Sequence, residues 1–346
     1  MSKKKLITII IGIIAVAAVG LSVFYMQGVS SVSNEDKEVI VTIENGQGAT
    51  SILNTLDEAG LVNNKLCGKI FLKLNHFESL QANTYIFNKN MNLNEMFSIM
   101  EKPSDEYVLR TKVTIKEGNT IPEVASSIGE ALGLSKDNVL KVMSDKSLLN
   151  TLIDEYWFLT DDILQSGIKY PLEGYLYPET YLFSSEEVKV EDVLREALDM
   201  MNEKITPLKE DIEKMNWTVH QFLSFASVVE RESLFDEDRP KIAEVFLNRL
   251  ETNMRLQSDI TVNYAWQRTG VKVTYEHLAI DSPYNTYKYA GLPIGPISTV
   301  PYITMDACIN HDDSDYLYFF AKEDGTVIYS KTLEEHNQAI KENKWY

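Results

Sequence analysis

Cysteine is nearly missing from this chain. Cys67 and Cys308 stand alone among 346 residues. A disulfide framework needs more cysteines in a smaller chain, so it is excluded; whether these two ever meet is left open. Histidine is sparse and scattered, at His76, His220, His277, His311 and His336, and neither HExxH nor CxxC occurs. No metal site and no cofactor is therefore expected. Positive charge is short as well: 33 Lys and Arg face 51 Asp and Glu, a net charge of −18. The basic footprint of a nucleic-acid binder is missing, and such a surface repels anionic lipid. What is present suits a globular protein of two or three domains, with 44% apolar and 24% charged residues.

Long apolar runs are also missing, with one exception. Lys3-Lys4-Lys5 precedes an uncharged segment from Leu6 to Met26. At about 1.5 Å per residue it spans the ~30 Å hydrocarbon core of a bilayer. The lysine flank places the N-terminus in the cytoplasm and everything after Gln27 outside. A cleaved signal peptide has a shorter apolar core and a small-residue exit, for which Gly28-Val29-Ser30 is a weak match. A lipoprotein needs a cysteine just after the run, and none stands there. The expectation is residues 1–5 as a cytoplasmic tail, 6–26 as a transmembrane helix and 27–37 as a polar linker.

Beyond the linker the pattern turns mixed. Val39, Val41 and Ile43 alternate as in a strand, Gly46 and Gly48 mark a turn, and Ile52, Leu53 and Leu56 follow helical spacing. The same Val-Thr-Ile-x-x-Gly pattern, again followed by an amphipathic helix, recurs from Val113. Two small α+β modules in tandem is the simplest account; a chance recurrence of strand, turn and helix is the alternative. Residues 171–183, PLEGYLYPETYLF, are dense in aromatics and turn formers. They suit either a docking surface for sugar rings or a packing seam, and the seam is favoured.

Chemistry concentrates after residue 218. SFASVVERES, residues 224–233, reads as the end of a helix that starts near Thr218. Phe222, Phe225, Ala226 and Val229 share one face, with Gln221, Ser224 and Ser227 opposite. Glu230 and Glu232 project about 200° apart and cannot act as neighbours in one pocket. Glu232 sits about 60° from the centre of the apolar face and Glu230 about 100° away. Glu232 is thus the better candidate for a carboxyl whose apolar surroundings raise its pKa, as a general acid requires near neutral pH. The bland alternative is two solvated glutamates at a helix end.

Downstream, a helix from Ala243 gives way to an extended stretch carrying Arg255, Gln257, Asp259 and Asn263. A Pro/Gly-stiffened loop then brings Tyr284, Asn285 and Tyr287 ahead of Gly291-Leu292-Pro293-Ile294-Gly295-Pro296. Amides, hydroxyls and flat rings on a rigid loop suit a cleft for a sugar chain. A hairpin around Asp324-Gly325 and a helix from about Leu333 close the chain.

These segments resemble the YceG-like family, the membrane-anchored endolytic murein transglycosylases. The resemblance rests on the N-terminal anchor, EGYLYPETY at 173–181, ASVVERES at 226–233 and VFLNRL at 245–250. It continues through MRLQSDITVNYA at 254–265, YNTYKYAGLPIGPI at 284–297, YLYF at 316–319 and EHN at 335–337. Ile260 and Ile294 stand where the family often has proline, and Asn83 replaces a turn glycine.

The resemblance implies an α+β body: a LysM-like module over 38–104, a second α+β module and connector over 105–185, and a catalytic domain over 186–346. It implies cleavage of the bond between N-acetylmuramic acid and N-acetylglucosamine without water, leaving 1,6-anhydro ends and terminating nascent strands. One carboxyl suffices for this, because the nucleophile belongs to the substrate, whereas sugar hydrolases normally need two. By the same resemblance Glu232 is the catalytic acid and base, and Glu230 is the secondary candidate. Gln257, Asp259, Asn285 and Tyr287 fall at motif positions that would line sugar subsites; the alternative for each is a buried residue whose hydrogen bonds hold the loop. Peptidoglycan strands are the implied substrate, and cell-wall synthases such as penicillin-binding proteins the implied partners. Two rivals stay open: a non-catalytic peptidoglycan-binding scaffold, and a hydrolase using Asp259 or the Asp236-Glu237-Asp238 run to activate water.

Overall fold

The N-terminal apolar run forms one long helix, α1 (Lys3–Val29), in a computed structural model that describes residues 3–77, 79–109, 111–183, 188–268 and 273–343. Its stretch Ile11–Val29 has a mean hydropathy of 1.8 and is almost wholly uncovered by protein. That suits a single membrane anchor or a signal sequence. The rest is mostly helical α+β, with small two-stranded sheets. It divides into two compact units, residues 1–112 with 182–187, and 113–181 with 188–346.

In the first unit β1 (Glu38–Ile43) leads into α2 (Ala49–Glu58) and α3 (Lys65–Leu74). Then come β2 (Asn83–Asn88) and α4 (Leu93–Glu101). The strands pair antiparallel, Val41 opposite Tyr85 and Val39 opposite Phe87. Alternation sends Val41, Ile43, Tyr85 and Phe87 inward, onto Ile52, Leu53 and Leu56 of α2 and Phe97 of α4. The tyrosine and phenylalanine rings stack at 5.2 Å. The end of α1 packs here too: a methyl added at Gly28 would collide with the Cys67 side chain. Cys67 and Cys308 are both buried, free thiols.

The opening motif recurs where the second unit begins. β3 (Thr111–Thr114) is followed by a turn with Gly118 at φ 66° and by α5 (Ile121–Leu132), as β1, Gly46 at φ 85° and α2 follow one another earlier. Helices α6 (Lys136–Met143) and α7 (Lys146–Glu155) come next, and β4 (Thr180–Phe183) pairs with β3. After α8 (Val190–Ile205) and α9 (Lys209–Lys214), α10 (Val219–Glu232) runs through the centre. It is packed by α11 (Arg239–Glu251), α12 (Asp259–Trp266) and α14 (Tyr302–Ile309), with the short α13 (Tyr275–Leu278) beside α12. A hairpin of β5 (Tyr318–Ala321) and β6 (Val327–Ser330), turning at Gly325 with φ 84°, and α15 (Leu333–Asn343) complete the unit.

The tyrosine-rich segment is a packing seam. Leu172, Tyr175, Leu176, Tyr177 and Tyr181 are all buried. The Tyr175 hydroxyl lies 2.9 Å from His220 Nδ1, while His220 Nε2 lies 2.8 Å from the Ile294 carbonyl. Gly174, at φ 80°, lies so close to Pro296 that any side chain would collide with it.

Candidate active site

α10 starts where its sequence says it should. Thr218 Oγ1 accepts the Gln221 N–H and Gln221 Oε1 accepts the Thr218 N–H, a reciprocal cap. The single apolar face expected from the wheel is an understatement, because every residue from Phe222 to Glu230 is buried. The serines on the opposite face tolerate this by bonding the helix itself. Ser224 Oγ donates to the His220 carbonyl at 2.6 Å, and Ser227 Oγ to that of Ser224 at 2.9 Å. Ser227 Oγ also accepts the Ile297 N–H at 3.0 Å, tying the Pro/Gly loop onto the helix.

The two glutamates end in different surroundings. Glu230 is 8% exposed and meets a buried cation. Arg239 Nη2 and Nε reach its Oε2 at 3.2 and 3.3 Å, and the Thr304 hydroxyl donates to the same oxygen. Arg239 also bonds Asp236. Glu230 is thus held between α11 and α14.

Glu232 is half-buried at the foot of an open cleft of about 470 Å³. Ser258 Oγ donates to Glu232 Oε1 at 2.5 Å. Burial pushes the Glu232 carboxyl up to about 7; the Ser258 hydrogen bond, Arg249 and Arg231 pull it back in part, while Asp259 pushes it further up. A carboxyl so placed can both donate and accept a proton near neutral pH.

Ser258 occupies the cap position of α12, yet its side chain makes no cap bond to that helix. The hydroxyl is committed to Glu232 instead. Its backbone N–H is held by Thr286 Oγ1 at 3.1 Å, and the neighbouring Gln257 N–H by the Thr286 carbonyl at 3.2 Å. Gln257 is exposed in the cleft at φ 52°, a left-handed conformation that costs a non-glycine residue energy. Asp259 follows in the first turn of α12, where Tyr287 donates to its Oδ1 at 2.6 Å. The far wall comes from the C-terminal hairpin and helix, with Tyr318 and His336 stacked at 5.3 Å. Arg249 closes the back: its guanidinium lies 5.1 Å from the Tyr318 ring and donates to the carbonyls of Leu317 at 2.6 Å and Leu256 at 2.7 Å.

The structure therefore brings Glu232, Gln257, Asp259 and Tyr287 into one cleft and leaves Glu230 and Asn285 out of its lining. Asn285 is fully buried. Its amide donates to the carbonyls of Leu278 and Ile280, both at 2.9 Å, and its oxygen accepts the Tyr287 N–H at 3.0 Å. It aims the loop that carries Tyr287. The chain around Asp259 and Asn263 is helical rather than extended, because Ser258-Asp259 opens α12. Ser258, Arg249 and His336 were not singled out from sequence. Each lies inside a segment carrying the family resemblance, which was the available signal. Glu173 in the tyrosine-rich seam is a further buried acid, pushed up to about 8 by burial. It accepts the Ile121 N–H at 3.0 Å and the Tyr264 hydroxyl at 2.9 Å, joining α5 to α12.

Comparisons with known proteins agree with one another. The model of the YceG-like family matches residues 41–342. An endolytic murein transglycosylase of Bacillus subtilis (strain 168) is 35% identical over 302 residues, covering 87% of this chain and 83% of that protein. One from Streptococcus pneumoniae serotype 2 is 34% identical over 328 residues, covering 90% of this chain; the chain spans 59% of that longer relative. A crystal structure of a YceG-like protein from Listeria monocytogenes is 38% identical with a TM-score of 0.65, covering 88% of this chain and 100% of that one.

Proposed function

This chain belongs to the YceG-like family, and from that membership we propose that it is a membrane-anchored endolytic murein transglycosylase with Glu232 as its acid and base. The Glu232 carboxyl gives its proton to the glycosidic oxygen, which leaves as the 4-hydroxyl of N-acetylglucosamine. The carboxylate so formed takes the proton of the muramic acid C6 hydroxyl as that oxygen closes on C1. The proton count balances without water, and the product carries a 1,6-anhydro ring. Gln257, Asp259 and Tyr287 contact the sugars, and Asn285 and Ser258 hold the loop and the acid in place.

The observation that supports this reading most is the environment of Glu232. Its pKa, pushed up to about 7, its seat in an open cleft and its lack of a direct cationic partner among the described residues suit a group that must donate and then accept. In this proposal residues 38–104 form a LysM-like module, 105–185 a second module and connector, and 186–346 the catalytic domain. α1 anchors the enzyme with its catalytic part outside the cell membrane. The substrate is then glycan still close to the synthases, so that cutting terminates strands.

A hydrolase is the second reading, because Asp259 lines the same cleft as Glu232. Mass spectrometry of digested murein decides. Anhydro ends, lost in Glu232→Gln and kept in Glu230→Gln, are the expected result. Reducing ends would make the enzyme a hydrolase, and no cleavage would make it a binding scaffold. Full activity of Glu232→Gln would overturn the site.

A further inference from the structure

Arg231 and Glu232 are adjacent in sequence yet line different cavities, and so do Ile260 and Asp259. The second cavity, of about 180 Å³, is bounded by α10 and α12 together with the starts of α5 and α6. Its charge runs against that of the chain. Lys136, Arg231 and Arg268 line it, with Glu123 as the one carboxylate. Glu123 is already committed, accepting the Thr120 N–H at 2.8 Å and the Thr120 hydroxyl at 2.9 Å. Arg231 donates to the Gly118 carbonyl at 2.6 Å, and Arg268 lies against His277. Lys136 makes no ion pair among the described residues. In a protein of net charge −18, three cations around one small hollow are an attraction for an anion.

The wall of this cavity carries a second signal. Asn263 is 8% exposed and lines the cavity. Its side-chain amide makes no hydrogen bond among the described residues. Buried amides are normally paired, and one left open towards a cavity is a place for a ligand. An amide that both donates and accepts recognises a carboxyl or a peptide bond, and the cations select a carboxylate. We propose that this cavity binds a carboxylate-bearing peptide, which on the murein reading given above is the peptide carried by the muramic acid whose bond is cut. The sugar would lie in the Glu232 cleft while its lactyl-linked peptide turns around the last residues of α10. Recognition of the stem would then select which muramic acid residues are cleaved.

The test measures binding separately from cleavage. The probes are N-acetyl-L-alanyl-γ-D-glutamate and its diamide, titrated by calorimetry into the full chain in detergent micelles. The acid should bind at least about tenfold more tightly than the diamide, since charge-assisted hydrogen bonds select it. Lys136→Glu should weaken the acid by about tenfold or more and leave the diamide nearly unchanged, while Asn263→Leu should weaken both. In digests, Lys136→Glu should lower the ratio of cleavage on peptide-bearing to peptide-free glycan. Equal affinity for acid and diamide would overturn the proposal, as would no binding up to about 10 mM or displacement by inorganic phosphate as effective as by the peptide. The transglycosylase reading fails separately: peptide binding as expected with no anhydro ends from wild type would sink that reading and leave the cavity assignment standing.

Discussion

The last turn of α10 has two sides that were given the same residue type and treat it in opposite ways. On one side Glu230 is buried with its countercharge, Arg239, and with the Thr304 hydroxyl. On the other Glu232 is half-buried with no cation in ion-pair contact among the described residues, its hydrogen-bond donor a neutral serine. A carboxyl held by a buried guanidinium and a hydroxyl becomes part of the frame that joins α10 to α11 and α14. A carboxyl desolvated without a cation at contact distance keeps a proton up to neutral pH and can lend it. Two residues of separation along a helix are enough to place one acid in each setting.

The largest effect expected from breaking this pair is on activity. Glu232→Gln should lower murein cleavage by about 10²–10⁴-fold, measured as anhydro ends released per minute. Glu230→Gln keeps the cleft chemistry, so its loss of activity should follow its loss of stability. Arg239→Ala tests the Glu230 side directly. It strands a buried carboxylate and should destabilise the second unit by about 3–5 kcal/mol, read by urea denaturation at pH 7. Replacing both by methionine should restore most of that stability. If the single and double variants were equally unstable, the pair would not be the reason for the cost.

A smaller effect separates the two sides by pH. The folded Glu232 carboxyl titrates near 7, above its ordinary value of 4.5. The native state therefore holds this proton more tightly than the unfolded state does. Its contribution to stability is fully present below about 4.5 and is lost as pH rises towards 7. Glu232→Gln should accordingly be more stable than wild type above pH 7, by about 1–3 kcal/mol, with the gain vanishing near pH 4. Thermal unfolding at the two pH values checks it, and a gain that did not depend on pH would mean that Glu232 is not desolvated.

How much of this was legible in the sequence varied with the range of the interaction. The start of α10 at Thr218, the hairpin at Gly325 and the strand–turn–helix motif repeated from Val113 are local and could be read directly. The burial of Ser224 and Ser227 could not, because their hydroxyls bond carbonyls of their own helix and so hide the polarity that a helical wheel counts. Asp259 reads as extended next to the break after α11, yet it opens a helix. The Glu230–Arg239 pair depends on how α10, α11 and α14 pack, which no spacing rule encodes. Asn285 shows the same limit, since an amide that staples a loop and one that meets a sugar look alike until its partners at Leu278 and Ile280 are known.

Ser258 offers the finest test, because it gives up one local role for another. A serine at the head of a helix ordinarily accepts a backbone N–H there, and this one donates to Glu232 instead. Removing the hydroxyl should therefore cost α12 little and Glu232 more. The hydrogen bond lowers the Glu232 pKa, so Ser258→Ala should raise it. The alkaline limb of the pH–rate profile, where the acid loses its proton, should move upward by about one pH unit or less. The maximal rate should fall by about tenfold as the carboxyl loses its fixed orientation. A profile that kept its shape while the rate fell would place Ser258 in the support of α12 rather than at the acid, and the contrast between the two sides of α10 would then rest on Arg239 alone.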